Sequence, residues 1–157
     1  MKSIKKQGKD SEAEATQKKS FYVKMDREQI LKRLKSARKM HFGDDVSFNF
    51  GDVLEEGPSY VRLYPEWSHT DFQKRWNGDN KKITAIIDYP FDDLMQVEIP
   101  FSYNMMEVMG SYVKEMQKVY DDDKVGYIHG IEELWFEGAD LYITKSGKIY
   151  LDVAIGS

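Results

Sequence analysis

Acid–base or metal chemistry in this chain would have to start from three histidines, His41, His69 and His129. Imidazole is the side chain that changes charge most readily near neutral pH. His41 is expected to close a helix, where the negative dipole end and Asp44 would favour its protonated form. His69 is followed by Asp71, and His129 falls in a stretch with strand-like alternation beside Gly130 and Ile131. None of the three has the H-x-x-x-H or H-E-x-x-H spacing that sets two ligands on one helix face. A small metal-dependent enzyme would have to gather His69, Asp71 and His129 from separate elements.

Carboxylates are more plentiful. Asp121, Asp122 and Asp123 run together, and Asp44/Asp45, Glu55/Glu56, Asp92/Asp93 and Glu132/Glu133 come in pairs. A calcium loop needs alternating ligands, a glycine at its sixth position and a glutamate at its twelfth, and the aspartate run has none of this. These carboxylates read as polar turns. Asp121–Asp123 would follow a helix C-terminus, where negative charge opposes the dipole. Cysteine is absent, which excludes disulfides, zinc–thiolate centres, iron–sulfur clusters and a thiol nucleophile. There is no G-x-S-x-G elbow, no phosphate-cradling glycine loop and no RNA-binding sheet signature. The sequence therefore favours a non-enzymatic protein with no cofactor.

Charge is divided unevenly along the 157 residues. Residues 1–40 hold 13 Lys+Arg against 5 Asp+Glu, a net of +8, whereas residues 41–157 hold 10 against 22, a net of −12. Such asymmetry speaks to partners rather than to fold. The acidic body suits a protein with a basic surface, such as an enzyme that must hold phosphates. The basic arm allows a contact with nucleic acid. Glu55, Glu56, Asp92, Asp93, Asp121, Asp122 and Asp123 are the candidate acidic contacts. Tyr64, Trp67 and Trp135 are the candidate aromatic anchors, because tyrosine and tryptophan concentrate at the energetic centres of interfaces. Lys32, Lys35, Arg38 and Lys39 are the candidate basic contacts. No apolar run is long enough to span a bilayer, and no secretory h-region follows the N-terminal lysines, so a cytoplasmic protein without a membrane partner is expected.

The elements that must position these groups read as α+β. Residues 1–20 hold almost no large apolar side chain and are expected to be a flexible basic tail, with a single domain over residues 21–157. Asp26 and Gln29 form a capping box opening a basic amphipathic helix to about Met40, with Gly43 as its stop. Val46, Phe48 and Phe50 alternate as a strand, Glu55–Pro58 turn, and Tyr60–Tyr64 return as a hairpin partner. Residues 66–81 form a polar connection that allows a short helix around Phe72–Trp76. Lys82–Tyr89 and Leu94–Ile99 read as strands. Asn104 and Glu107 cap a Met-rich helix in which Met105, Met109, Tyr112, Met116 and Val119 share a face. Strands are then expected at Val125–His129, Glu133–Glu137, Asp140–Thr144 and Lys148–Ile155, the last two joined by a turn through Gly147. The sum is an antiparallel sheet of about five to seven strands packed by the Met-rich helix.

Two resemblances follow from these residues. The acidic span from Asp44 to Asp152 and the basic arm from Lys2 to Lys39, on a small aromatic-rich chain, are similar in size and charge to phage-type anti-CRISPR inhibitors. That resemblance implies a stoichiometric inhibitor of a CRISPR-type nuclease, acting in the host cytoplasm, and it assigns no residue. The segment Ala139–Ala154, ADLYITKSGKIYLDVA, resembles the strand–glycine–strand hairpin of SUKH-type immunity proteins, which implies neutralisation of a bacterial toxin.

Overall fold

A computed structural model describes residues 21–43, 46–57, 82–102 and 105–157. The expected tail at 1–20, the Tyr60–Tyr64 strand and the connection at 66–81 lie outside the described residues, as does Asn104. In chain order the elements are β1 (Tyr22–Lys24), α1 (Arg27–Leu34), β2 (Arg38–Phe42), α2 (Phe50–Glu56), β3 (Lys82–Ile87), β4 (Met95–Pro100), α3 (Met105–Tyr120), a 3-10 turn (Ile131–Glu133), β5 (Trp135–Ile143) and β6 (Ile149–Gly156). The strands form one sheet in the order β1-β4-β3-β6-β5-β2. The class is α+β, as expected, but the sheet is mixed rather than antiparallel. β3 and β6 run parallel, with Thr84 opposite Tyr150 and Ile86 opposite Asp152, while every other pair is antiparallel. Hydrophobic alternation marks strands without fixing their direction; the long excursion through β4, α3 and β5 gives the chain room to bring β6 back parallel to β3.

Several local expectations are corrected by tertiary contacts. The capping box forms: Asp26 accepts from the Gln29 N–H at 2.9 Å and the Gln29 side chain accepts from the Asp26 N–H at 3.1 Å. The helix stops at Leu34, however, and Arg38–Phe42 is a strand. Only Ile30 is buried on α1, so the apolar stripe has too little to cover to extend it. Pairing with β5 gives residues 38–42 a backbone partner and lets Met40 pack on the core. Gly43 has φ of 87° but ends this strand instead of a helix, and a Cβ there would lie 2.7 Å from the Phe136 ring.

Gly51 and Asp52 do not interrupt a strand. Asn49 caps α2 by accepting from the Asp52 N–H at 3.1 Å, and Gly51–Asp52 form the first turn. The alternation of Val46, Phe48 and Phe50 instead reflects three buried side chains leading into that helix. Val125–His129 is a bend held by one bridge, Phe91 to Tyr127. The two strands expected over 133–144 are one strand, β5, with a bulge between Phe136 and Ala139 where Gly138 takes a φ of 128°. The β5–β6 hairpin forms as expected.

The sheet has two unlike faces. Ile83, Ala85 and Ile87 of β3, Met95, Val97 and Ile99 of β4, and Ile149, Leu151 and Val153 of β6 join the main core with Val108, Met109, Tyr112, Val113, Met116 and Val119 of α3. An aromatic series ties the loop before α2 into this core: Phe48 stacks on Phe136 at 4.7 Å, and Phe50 meets the edge of Tyr112 at 6.2 Å. Each such ring contributes roughly 1.5–3 kcal/mol by burial. The other face carries the alternate residues, and α1 crosses it.

Candidate functional site

Around Trp135 the chain builds an open groove of about 650 Å³. Residues 48–50 lie alongside 134–136: the Phe50 N–H donates to Leu134 O and the Phe136 N–H to Phe48 O, both at 2.9 Å. Asn49 fixes α2 to the 3-10 turn by donating from Nδ2 to Glu132 O at 2.9 Å. This geometry sets Leu54 of α2 and Ile131 of the turn beside Trp135, which is 45% exposed at the start of β5. Asp52, Glu55 and Glu132 rim them, with no lysine or arginine among the described lining residues. The groove thus has an apolar floor, an aromatic anchor and an acidic rim.

The acidic residues singled out in the sequence do not act as one set. Glu55 is on the groove, and Glu56 is exposed beside it at the end of α2. Asp93 pairs with Lys24 at 3.3 Å, and the Asp92 backbone N–H donates to Gly126 O. Asp121 accepts from Gln117, while Asp122 accepts from the Tyr22 hydroxyl at 2.7 Å and the Lys124 N–H at 2.9 Å. Two of the three aspartates after α3 are therefore used inside the fold, and Asp123 is exposed. Tyr64 and Trp67 lie outside the described residues. The basic set divides as well. Lys32 and Lys35 are exposed on and just after α1, whereas Arg38 and Lys39 belong to β2.

The histidines are likewise relocated. His41 does not end a helix; it sits in β2 opposite Asp140, with Nδ1 2.5 Å from Asp140 Oδ1. His129 is in the bend before the 3-10 turn, its Nδ1 2.7 Å from Glu133 Oε1. His69 and Asp71 lie outside the described residues. Among the described residues no three His, Asp or Glu side chains are grouped so as to hold a metal ion.

A second polar centre, not anticipated from the sequence, occupies the sheet face under α1. Across the strands run Gln96, Ile86, Asp152, Asp140 and His41 in direct register. The adjacent row is Glu98, Thr84, Tyr150, Tyr142 and Lys39. Asp140 and Asp152 are thus directly opposed carboxylates. Asp140 is held by His41 and by Lys39 Nζ at 3.7 Å, and Arg27 of α1 pairs with Asp88. Asp152 is exposed as a residue, yet the partial desolvation of its carboxyl between strands pushes it above the usual range, with Asp140 and Asp88 adding to the rise and Arg27 and Lys39 opposing it. Burial raises the Tyr142 hydroxyl too, reinforced by Asp140 and Asp152. The signal available in the sequence was an aspartate in the middle of each of two apolar strands, ADL at 139–141 and LDV at 151–153.

Comparison of the chain with protein-family models, curated proteins and solved structures found no match. Among the described residues no helix is long and apolar enough to cross a membrane.

Proposed function

We propose that this chain is a non-enzymatic binding protein that docks a basic protein surface through the Trp135 groove, and that its target is a nucleic-acid-processing enzyme, a CRISPR-type nuclease in the preferred case. The observation that carries the reading is the half-exposed indole set among Leu54 and Ile131 inside the rim of Asp52, Glu55 and Glu132. An aromatic anchor gives binding energy at the centre of an interface, and a one-signed rim selects and steers the partner. The net charge of −12 over residues 41–157 extends the same polarity over the body. A nuclease is the target class because a surface that holds phosphates is basic, and an acidic protein seated on it competes with nucleic acid. Lys32 and Lys35 on and just after α1 supply a separate basic contact for nucleic acid bound by that target.

The test is direct binding to purified CRISPR-type nucleases, with inhibition of DNA cleavage measured in parallel. Trp135→Ala is expected to weaken binding about tenfold or more, and Glu55→Lys with Glu132→Lys to slow association and reduce its salt dependence. Binding that ignores all three substitutions removes the groove from the interface. Neutralisation of a bacterial toxin in place of nuclease binding would transfer the same groove to the immunity reading.

A further inference from the structure

The pairing of β3 with β6 stops at Ile86 opposite Asp152, after which β3 turns away through Asp88, Tyr89 and Pro90 while β6 continues to Gly156. The gap left beside β6 opens into a cavity of about 190 Å³, room for about six waters at liquid density. A side-chain hydrogen bond between Tyr89 and Ser157 bridges the two diverging segments. The walls are mostly apolar: Ile30 and Leu34 of α1 on one side, and Ile86, Val153 and Ile155 on the other, with exposed Leu31 and the charged Arg27 of α1 also on the lining.

Besides Tyr89, four oxygen-bearing side chains converge on this apolar space. Asp88 is neutralised by Arg27. Tyr112, whose side chain is completely buried, reaches up from α3, and its hydroxyl has only a long 3.4 Å contact with Ile86 O, at the limit of a hydrogen bond. Tyr142 lines the cavity on the α1 face. Asp152 is the remaining one, and it has no hydrogen bond or ion pair among the described residues. An apolar pocket with a few convergent polar groups is the ordinary form of a small-ligand site. With Asp88 matched by Arg27, exposed Asp152 leaves the lining one negative charge in excess, which decides the sign of the ligand, since a carboxylate gains most from a charged donor.

We propose that this cavity binds a small organic cation, a primary amine carried on a compact apolar body, with Asp152 as its counter-charge. The apolar part lies between the α1 leucines and Ile155, and the ammonium group donates to Asp152. The site is separate from the Trp135 groove, so it stands or falls independently of partner docking.

Benzylamine, benzyl alcohol and benzoate share a shape and differ in charge, and each is titrated into the full chain while backbone amide resonances are followed by NMR. Benzylamine is expected to shift the amides of Asp88, Tyr142, Asp152 and Val153 saturably, binding about tenfold or more tightly than benzyl alcohol, with benzoate not binding. Asp152→Asn is expected to lower benzylamine affinity by about tenfold or more, the scale of a missing charge-assisted hydrogen bond, while Asp93→Asn leaves it unchanged. No saturable shift at these amides, equal binding of the three probes, shifts spread over the acidic surface instead of the cavity, or unchanged affinity in Asp152→Asn would each overturn the proposal.

Discussion

Replacing Asp152 with asparagine removes one of two carboxylates that stand directly opposite each other on β5 and β6. Opposed like charges in a cross-strand pair cost about 0.2–1 kcal/mol. Asp140 is already held by His41 and Lys39, and Asp152 keeps part of its surface in water, so screening places the cost at about 0.5 kcal/mol. The Arg27 charge acts in the opposite direction but ranks below burial and Asp140 among the influences on this carboxyl. Asp152→Asn is therefore expected to stabilise the protein at pH 7 by about 0.5 kcal/mol, a rise of about 1–2 °C in Tm for a chain of this length. The sign reverses the usual loss on removing a charged residue. Because the folded carboxyl holds its proton more tightly than the unfolded one, its cost is present above the folded pKa and fades as pH falls toward the unfolded value of about 3.9. Urea unfolding of both proteins at pH 7 and about pH 3.5, below that unfolded value, measures the difference, and carboxylates common to both cancel. A loss of stability at pH 7, or a gain that persists undiminished at the lower pH, would refute the reasoning.

Three further outcomes follow from the geometry. Gly43→Ala forces a side chain into a positive-φ position with its Cβ 2.7 Å from the Phe136 ring, and is expected to cost about 1–3 kcal/mol in urea unfolding; unchanged stability would show that β2 ends differently. Asn49→Ala removes both the cap of α2 and the bond to Glu132 O, so a loss of about 2 kcal/mol and about 4–8 °C in Tm is expected by calorimetry. Reversing Lys32 and Lys35 to glutamate is expected to reduce the salt slope of nucleic-acid retention by about 2, one for each phosphate no longer neutralised, with the Tm nearly unchanged; an unaltered slope would remove α1 from nucleic-acid binding.

The parts of the fold that can be read from the sequence are those where local period and burial agree. In α3 the spacing of Met109, Tyr112, Met116 and Val119 matches the buried face, and the turn through Gly147 yields the hairpin whose φ of 90° that glycine permits. Residues 38–42 defeat such reading because their helical charge pattern is overridden by pairing with β5. Phe48–Asp52 defeats it for another reason: alternating rings mimic a strand while Asn49 caps a helix beginning one residue later. The groove was half legible. Trp135 and Glu55 are the kinds of residue an interface uses, but the contribution of Leu54, Ile131 and Glu132 depends on the Asn49 tether. The Asp140–Asp152 opposition arises from strand register, which no single strand encodes.

β6, the last strand in chain order, lies inside the sheet, between β3 and β5. Its pairing with β3 joins Thr84 to Tyr150, and the outer strands depend on it indirectly: among the described residues β2 reaches the sheet through β5, and β1 through β4 and β3. During synthesis the β1–β4–β3 part can pair early, but it exposes an open β3 edge until β6 has emerged. Closure of that edge brings together residues far apart in sequence, which makes it a slow step. Until then the unpaired backbone N–H and C=O groups of β3 offer a template to any extended chain nearby. Burial of that edge by β6 is thus the event that ends the exposure of β3 to misassociation.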